Sequence, residues 1–183
     1  MQRHSFWTGV NYWPADKAMY WWKHFDPAEI ERDFRVMSVS RLAIVRIFLT
    51  WEDFQPQPDE IAKKALDHLA TVVDIANRHG LYLMPTFFCG HMSGVNWFPE
   101  WMLENSCSEQ RFPVFSDNRL SFRTIKNYFA DRNLIEAQKF QISKIINHLK
   151  GSDAIIAYDL GNEPSNTVIP PDRSAANNWL QAM

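Results

Sequence analysis

"AIIAYDLGNEPSN", residues 154–166, passes from an apolar run directly into Asn162, Glu163 and Pro164. The run itself, Ala154–Leu160, is nearly continuous in hydrophobicity rather than alternating. That is the pattern of a strand with both faces covered, as in a parallel sheet flanked by helices. Asn162 and Glu163 stand at its C-terminal end, and Pro164 restricts the backbone beside them.

Three earlier runs share this character: Phe6–Trp13, Leu42–Leu49 and Leu81–Phe88. Helical patterns fall between them. Asp26 is placed to cap a helix that starts at Pro27, with Glu29 as the partner in a capping box and Ile30, Phe34 and Met37 as its apolar stripe. Ala62, Ala65, Leu66, Leu69, Val72, Val73 and Ala76 form a second stripe, stopped at Gly80. Ile135, Ile142, Ile145, Ile146 and Leu149 form a third, stopped at Gly151. The order β-α-β-α-β-α-β, with crossovers of this length, predicts an α/β fold with parallel strands. The segments 13–25 and 89–133 are long connections after strand ends, where the sites of α/β folds gather.

The 183 residues are 46% hydrophobic, enough for one domain with its own core. With 19 basic and 21 acidic residues and no basic block, nucleic acid and membrane surfaces are not expected partners. "MQRHSFWTGV" lacks an apolar stretch long enough for a signal peptide or an anchor, which makes the cytoplasm the expected location. Cys89 and Cys107 read as free thiols. The six histidines, His4, His24, His68, His79, His91 and His148, show no paired ligand spacing, so no metal or other cofactor is expected. Eight tryptophans, most of them in or beside turn-rich stretches, are either covers for the core or platforms on which sugar rings stack.

The strand ends carry the polar chemistry. The first run offers Asn11 and Tyr12, the second contains Arg46 and leads to Trp51 and Glu52, the third leads to His91, and the fourth delivers Asn162 and Glu163. An arginine inside "IVRIF" is costly unless paired. It reads either as an ion pair tying strand ends together or as a charge that keeps a catalytic carboxylate ionised. Glu163, at the floor of an aromatic cleft, is expected to be desolvated enough to favour its protonated form, as a general acid requires.

"DLGNEP" after an apolar strand, with "VRIFLTWEDFQP" two units earlier, resembles glycoside hydrolases of clan A, and family 5 most of all. "GVNYWP" and "PTFFCGH" fit the same pattern, and "NYWPADKAMYWW" with "DFQPQPD" is most similar to β-mannosidase and mannanase-type members. The resemblance implies a (β/α)₈ TIM barrel of which residues 1–183 supply the N-terminal half, about the first four βα units. It implies a retaining β-glycosidase in which Glu163 is the catalytic acid/base, Asn162 binds the 2-hydroxyl of the sugar, Arg46 supports the nucleophile and His91 lines the subsite. Trp51 and Trp97 are expected sugar contacts, and the substrate is an oligosaccharide or glycoside. The family's nucleophile, a second glutamate after the seventh strand, has no match here, since Glu52 and Glu100 are on the wrong strands. It is expected beyond Met183. The rival reading is a carbohydrate-binding, inactive half-barrel, and open sheet edges allow a homodimer.

Overall fold

The computed structural model describes residues 6–107 and 109–183; His4 lies outside them. Strands β1 (Gly9–Tyr12), β2 (Ile44–Thr50) and β3 (Tyr82–Cys89) form a parallel sheet in that order. In its register Asn11 lies beside Arg46 and Arg46 beside Met84. Between the strands run α1 (Pro27–Val39) and, after the short helix α2 (Trp51–Phe54), α3 (Lys63–His79). The Asp26 carboxylate accepts from the Ala28 N–H as expected, but Glu29 does not close a capping box: its carboxylate takes the Lys17 ammonium at 2.5 Å. Gly80 ends α3 in the left-handed region, at φ 65°.

The fourth run continues the sheet beside β3 in two pieces. Leu83 N–H donates to Ala154 O at 2.7 Å, and Phe87 N–H donates to Asp159 O at 2.8 Å. The parallel bridges pair Leu83 with Ile155 and Thr86 with Asp159. From one bridge to the next the chain advances three residues on β3 but four on the fourth run. The extra residue is a bulge, and it moves Asp159 onto the sheet face that carries Thr86 and Arg46.

One sheet face is fully covered. Val45, Ile47, Leu49, Leu83 and Phe87 are buried there with Ile30 and Phe34 of α1 and Leu69, Val72 and Val73 of α3. The other face is only partly closed: Ile44, Arg46 and Met84 are half-buried, and Tyr82 is exposed. Coverage of both faces, expected from the unbroken apolar runs, is therefore met on one side only within this chain. α4 (Arg132–Leu149) packs with a rotated face: Leu134, Ala137, Gln138, Gln141, Ile145 and Leu149 are buried, while Ile146 is exposed. Gln138 is tolerated inside because it is bonded throughout. Its amide donates to the carbonyls of Tyr128 and Leu134, and its oxygen accepts from the Trp179 indole of α5 (Arg173–Ala182) at 2.8 Å.

The long segment after β3 is not an irregular loop. It folds into β4 (His91–Met92), β5 (Val95–Trp97), β6 (Leu103–Cys107), β7 (Val114–Ser116), β8 (Arg119–Ser121) and β9 (Arg123–Ile125). β4, β5, β7 and β8 make one small sheet, and β6 pairs with β9. The β7–β8 turn places Asp117 and Asn118 at φ 44° and 59°, the twist a two-residue hairpin requires.

Candidate active site

Arg46 organises the C-terminal ends of all four parallel segments. Its Nε donates to Thr86 Oγ1 at 2.9 Å and to Asp159 Oδ2 at 3.0 Å, and its Nη2 donates to the same Asp159 oxygen at 2.5 Å. Nη1 donates to Asn162 Oδ1 at 3.2 Å and to Asn11 Oδ1 at 3.4 Å. The guanidinium lies over the Phe48 ring, 4.7 Å from its centroid. Asn162 in turn donates through Nδ2 to the backbone oxygen of His91 at 2.8 Å. Arg46, His91, Asn162 and Glu163 are thus brought into one cluster.

Of the two readings of Arg46, the ion pair is the one its contacts satisfy, and the partner is Asp159. Sequence reasoning missed this residue, because counting by twos along Ala154–Leu160 does not reveal the bulge that turns it inward. Asn11 joins the cluster from β1.

Glu163 departs from expectation in burial. Its side chain is 59% exposed, since this chain supplies no wall on that side of the rim. Its Oε2 accepts from Asn166 Nδ2 at 2.9 Å and lies 3.6 Å from His91 Nε2. The backbone that aims it is strained, with Glu163 at φ 47° and ψ 51°, directly before Pro164. Non-glycine residues persist in that region only where their surroundings hold them there.

The tryptophans divide. Trp51 is not a sugar contact: it is fully buried, donates to Gln55 Oε1 at 2.9 Å, and packs its ring on Phe88, Phe98, Trp101 and Tyr128. Trp21 and Trp22 are buried as well. Trp97 is half-buried at the rim, where it packs against Tyr20 and Phe115. Together with the half-buried Trp13 it flanks a small apolar cluster of Met19, Phe48, Cys89 and Met92. Burial pushes the Cys89 thiol up to about 12, so it stays protonated beneath the site.

Neither stand-in carboxylate joins the cluster. Glu100 is ion-paired with Arg123. Glu52 accepts from the Asp117 N–H at 3.2 Å and faces Lys23 at 3.8 Å. Burial raises the pKa of both Glu52 and its neighbour Asp53, against the pull of Lys23. A carboxyl whose folded-state pKa is raised favours folding at low pH, and that contribution is lost as pH rises through the folded value. Asp53→Asn, which keeps an acceptor for the Thr50 hydroxyl, is therefore expected to raise Tm at pH 7. The gain should shrink as pH falls and disappear below the ordinary aspartate range, where the carboxyl is protonated in the folded and unfolded chain alike; melts at pH 7 and about pH 3 check this.

A parallel α/β sheet thus brings an asparagine–glutamate pair, an arginine and a histidine to one rim. The solved structures it resembles include glycoside hydrolases of the GH5_18 group and an exo-mannosidase. GH5_18 from Streptomyces cattleya, solved in complex with GlcNAc, is 24% identical and superimposes with a TM-score of 0.80, covering 98% of this chain and 40% of its own. The exo-β-1,4-mannosidase from Opitutaceae bacterium strain TAV5 is 27% identical, with a TM-score of 0.80 over 98% of this chain and 29% of its own. A GH5_18 variant from Bifidobacterium longum, in complex with Manβ1-4GlcNAc, gives 24%, 0.80, 97% and 40% for the same quantities. The chain thus spans well under half the length of these relatives. No family model and no curated protein matches its sequence. Among the described residues, no helix is long and apolar enough to cross a membrane.

Proposed function

We propose that this chain carries the acid/base side of a retaining β-glycosidase site that acts on β-mannosidic or related O-glycosyl bonds. The observation that carries the reading is the cluster of Asn162 and Glu163 with Arg46 and His91 at the C-terminal end of the sheet. Glu163 is the one carboxylate of the cluster that both faces solvent and lacks a cationic arginine or lysine partner among the ion pairs of the described residues. In this reading it protonates a glycosidic oxygen and then activates water. Asn162 commits one amide hydrogen to His91 O, and otherwise meets only the weakly accepting Met92 sulfur at 4.0 Å, which a sugar hydroxyl would replace. Trp97, half-buried and donating its indole N–H to Met92 O at 3.2 Å, is the candidate stacking platform.

A retaining hydrolase needs two carboxyl groups about 5–5.5 Å apart. Asp159 does not serve as the second: its Oδ2 is committed to Arg46 and Thr86. The 183-residue chain is therefore expected to bind β-mannosides weakly and to hydrolyse them negligibly. Calorimetry with mannobiose and Manβ1-4GlcNAc tests binding, and release from an aryl β-mannoside tests turnover. Binding that Asn162→Ala abolishes supports the assignment; absence of binding to the wild-type chain contradicts it. Measurable turnover that survives Glu163→Gln would overturn the role given to Glu163.

A further inference from the structure

A chain of polar contacts runs from His91 through two asparagines to Glu163. Asn96 of β5 is 1% exposed and His91 is 3% exposed, so neither exchanges these contacts freely for water. Asn96 Nδ2 donates to the backbone oxygen of Asn166 at 3.2 Å. A carbonyl only accepts, so the amide nitrogen is the atom that faces it, and Asn96 Oδ1 points the other way. That oxygen lies 2.8 Å from His91 Nδ1. An amide oxygen also only accepts, so Nδ1 carries the hydrogen. In the neutral ring, Nε2 then holds the lone pair. Nε2 faces Glu163 Oε2 at 3.6 Å, a separation just beyond a hydrogen bond, and the Asn166 side chain donates to that same oxygen at 2.9 Å.

The tautomer decides what the imidazole does for the carboxyl group. A ring protonated at Nε2 would donate to the carboxylate and hold Glu163 in its basic form. A ring protonated at Nδ1 instead offers an acceptor to the carboxylic acid. We propose that Asn96 is a positioning residue of the acid/base apparatus: it fixes His91 in the Nδ1–H tautomer and so turns the Nε2 lone pair, rather than an N–H, toward the Glu163 carboxyl. The role in catalysis rests on the reading of Glu163 as the acid/base; the tautomer does not. Sequence reasoning had no signal for Asn96, which lies in the inserted β layer rather than at a barrel strand end.

The test is direct. Two-bond proton–nitrogen correlation spectra of the ¹⁵N-labelled 183-residue chain, at about pH 8 where an ordinary imidazole is neutral, report which ring nitrogen of His91 is protonated. The wild-type chain is expected to show Nδ1 protonated and Nε2 bare. Asn96→Asp retains an acceptor and is expected to keep Nδ1 protonated. Asn96→Leu removes the acceptor and is expected to move the proton to Nε2. A wild-type ring protonated at Nε2 alone overturns the proposal, and so does Asn96→Leu with Nδ1 still protonated. Should the leucine variant fail to fold, the wild-type and aspartate spectra decide, since Nε2–H alone in either contradicts it. No sugar enters this measurement, so failure of mannoside binding sinks the functional reading without touching the tautomer.

Discussion

Arg46→Leu is expected to lower the stability of the chain by about 3 kcal/mol, because it leaves Asp159 without its charge partner at a partly enclosed position. The arginine bonds Asn11, Thr86, Asp159, Gly161 and Asn162, so every parallel segment loses a tie at once. Its side chain is 20% exposed and that of Asp159 is 31%, so water recovers part of the loss and holds the cost below that of a fully buried pair. For a chain of this size the change corresponds to a Tm lower by about 6–12 °C. Arg46→Lys keeps the charge but cannot reach the same partners from one planar group, and is expected to recover less than half of the difference. Thermal melts of the two variants against the wild type check this. A leucine variant within about 2 °C of wild type would mean that the network ties nothing together.

Trp51→Ala is expected to be the most damaging single truncation of an aromatic side chain, at about 3–5 kcal/mol. The indole is wholly enclosed between the end of β3 and the inserted β layer, and no small set of neighbours can collapse into the space it leaves. Trp97→Ala, at a half-buried rim position, is expected to cost about 1 kcal/mol and to act on mannoside binding instead. Urea unfolding of both variants separates the two roles. Equal costs would mean that Trp97 is as much a core residue as Trp51.

The contrast between these tryptophans shows where the sequence was legible. Apolar runs, helix stripes, the Asp26 cap and the Gly80 stop are local signals, and each locates its element closely. The convergence of Arg46, His91, Asn162 and Glu163 is also legible, because parallel strands bring their C-terminal ends to one rim whatever packs around them. Burial is not local. Trp51 follows a strand end just as a rim residue would, and only the fold of residues 91–125 above it makes it core. Asp159 was hidden for a different reason: a one-residue bulge changes which face a strand residue occupies, and nothing in "AYDL" marks it. The same holds for α4, where isoleucines suggested the buried stripe while two glutamines took the central positions, one of them fully bonded in the core. The exposure of Glu163 reflects the share of a barrel that this chain spans: the rim is formed on one side only.

Whether Arg46, His91, Asn162 and Glu163 form one sugar-binding rim is decided by titrating Manβ1-4GlcNAc into the ¹⁵N-labelled chain and mapping the amide shifts. Perturbations are expected to gather on Arg46, His91, Trp97, Asn162 and Glu163, and to be lost in Asn162→Ala. Shifts centred instead on the groove at the opposite end of the sheet, lined by Asp74, Asn77, Ser152 and Asp153, or no shifts at all, would contradict it.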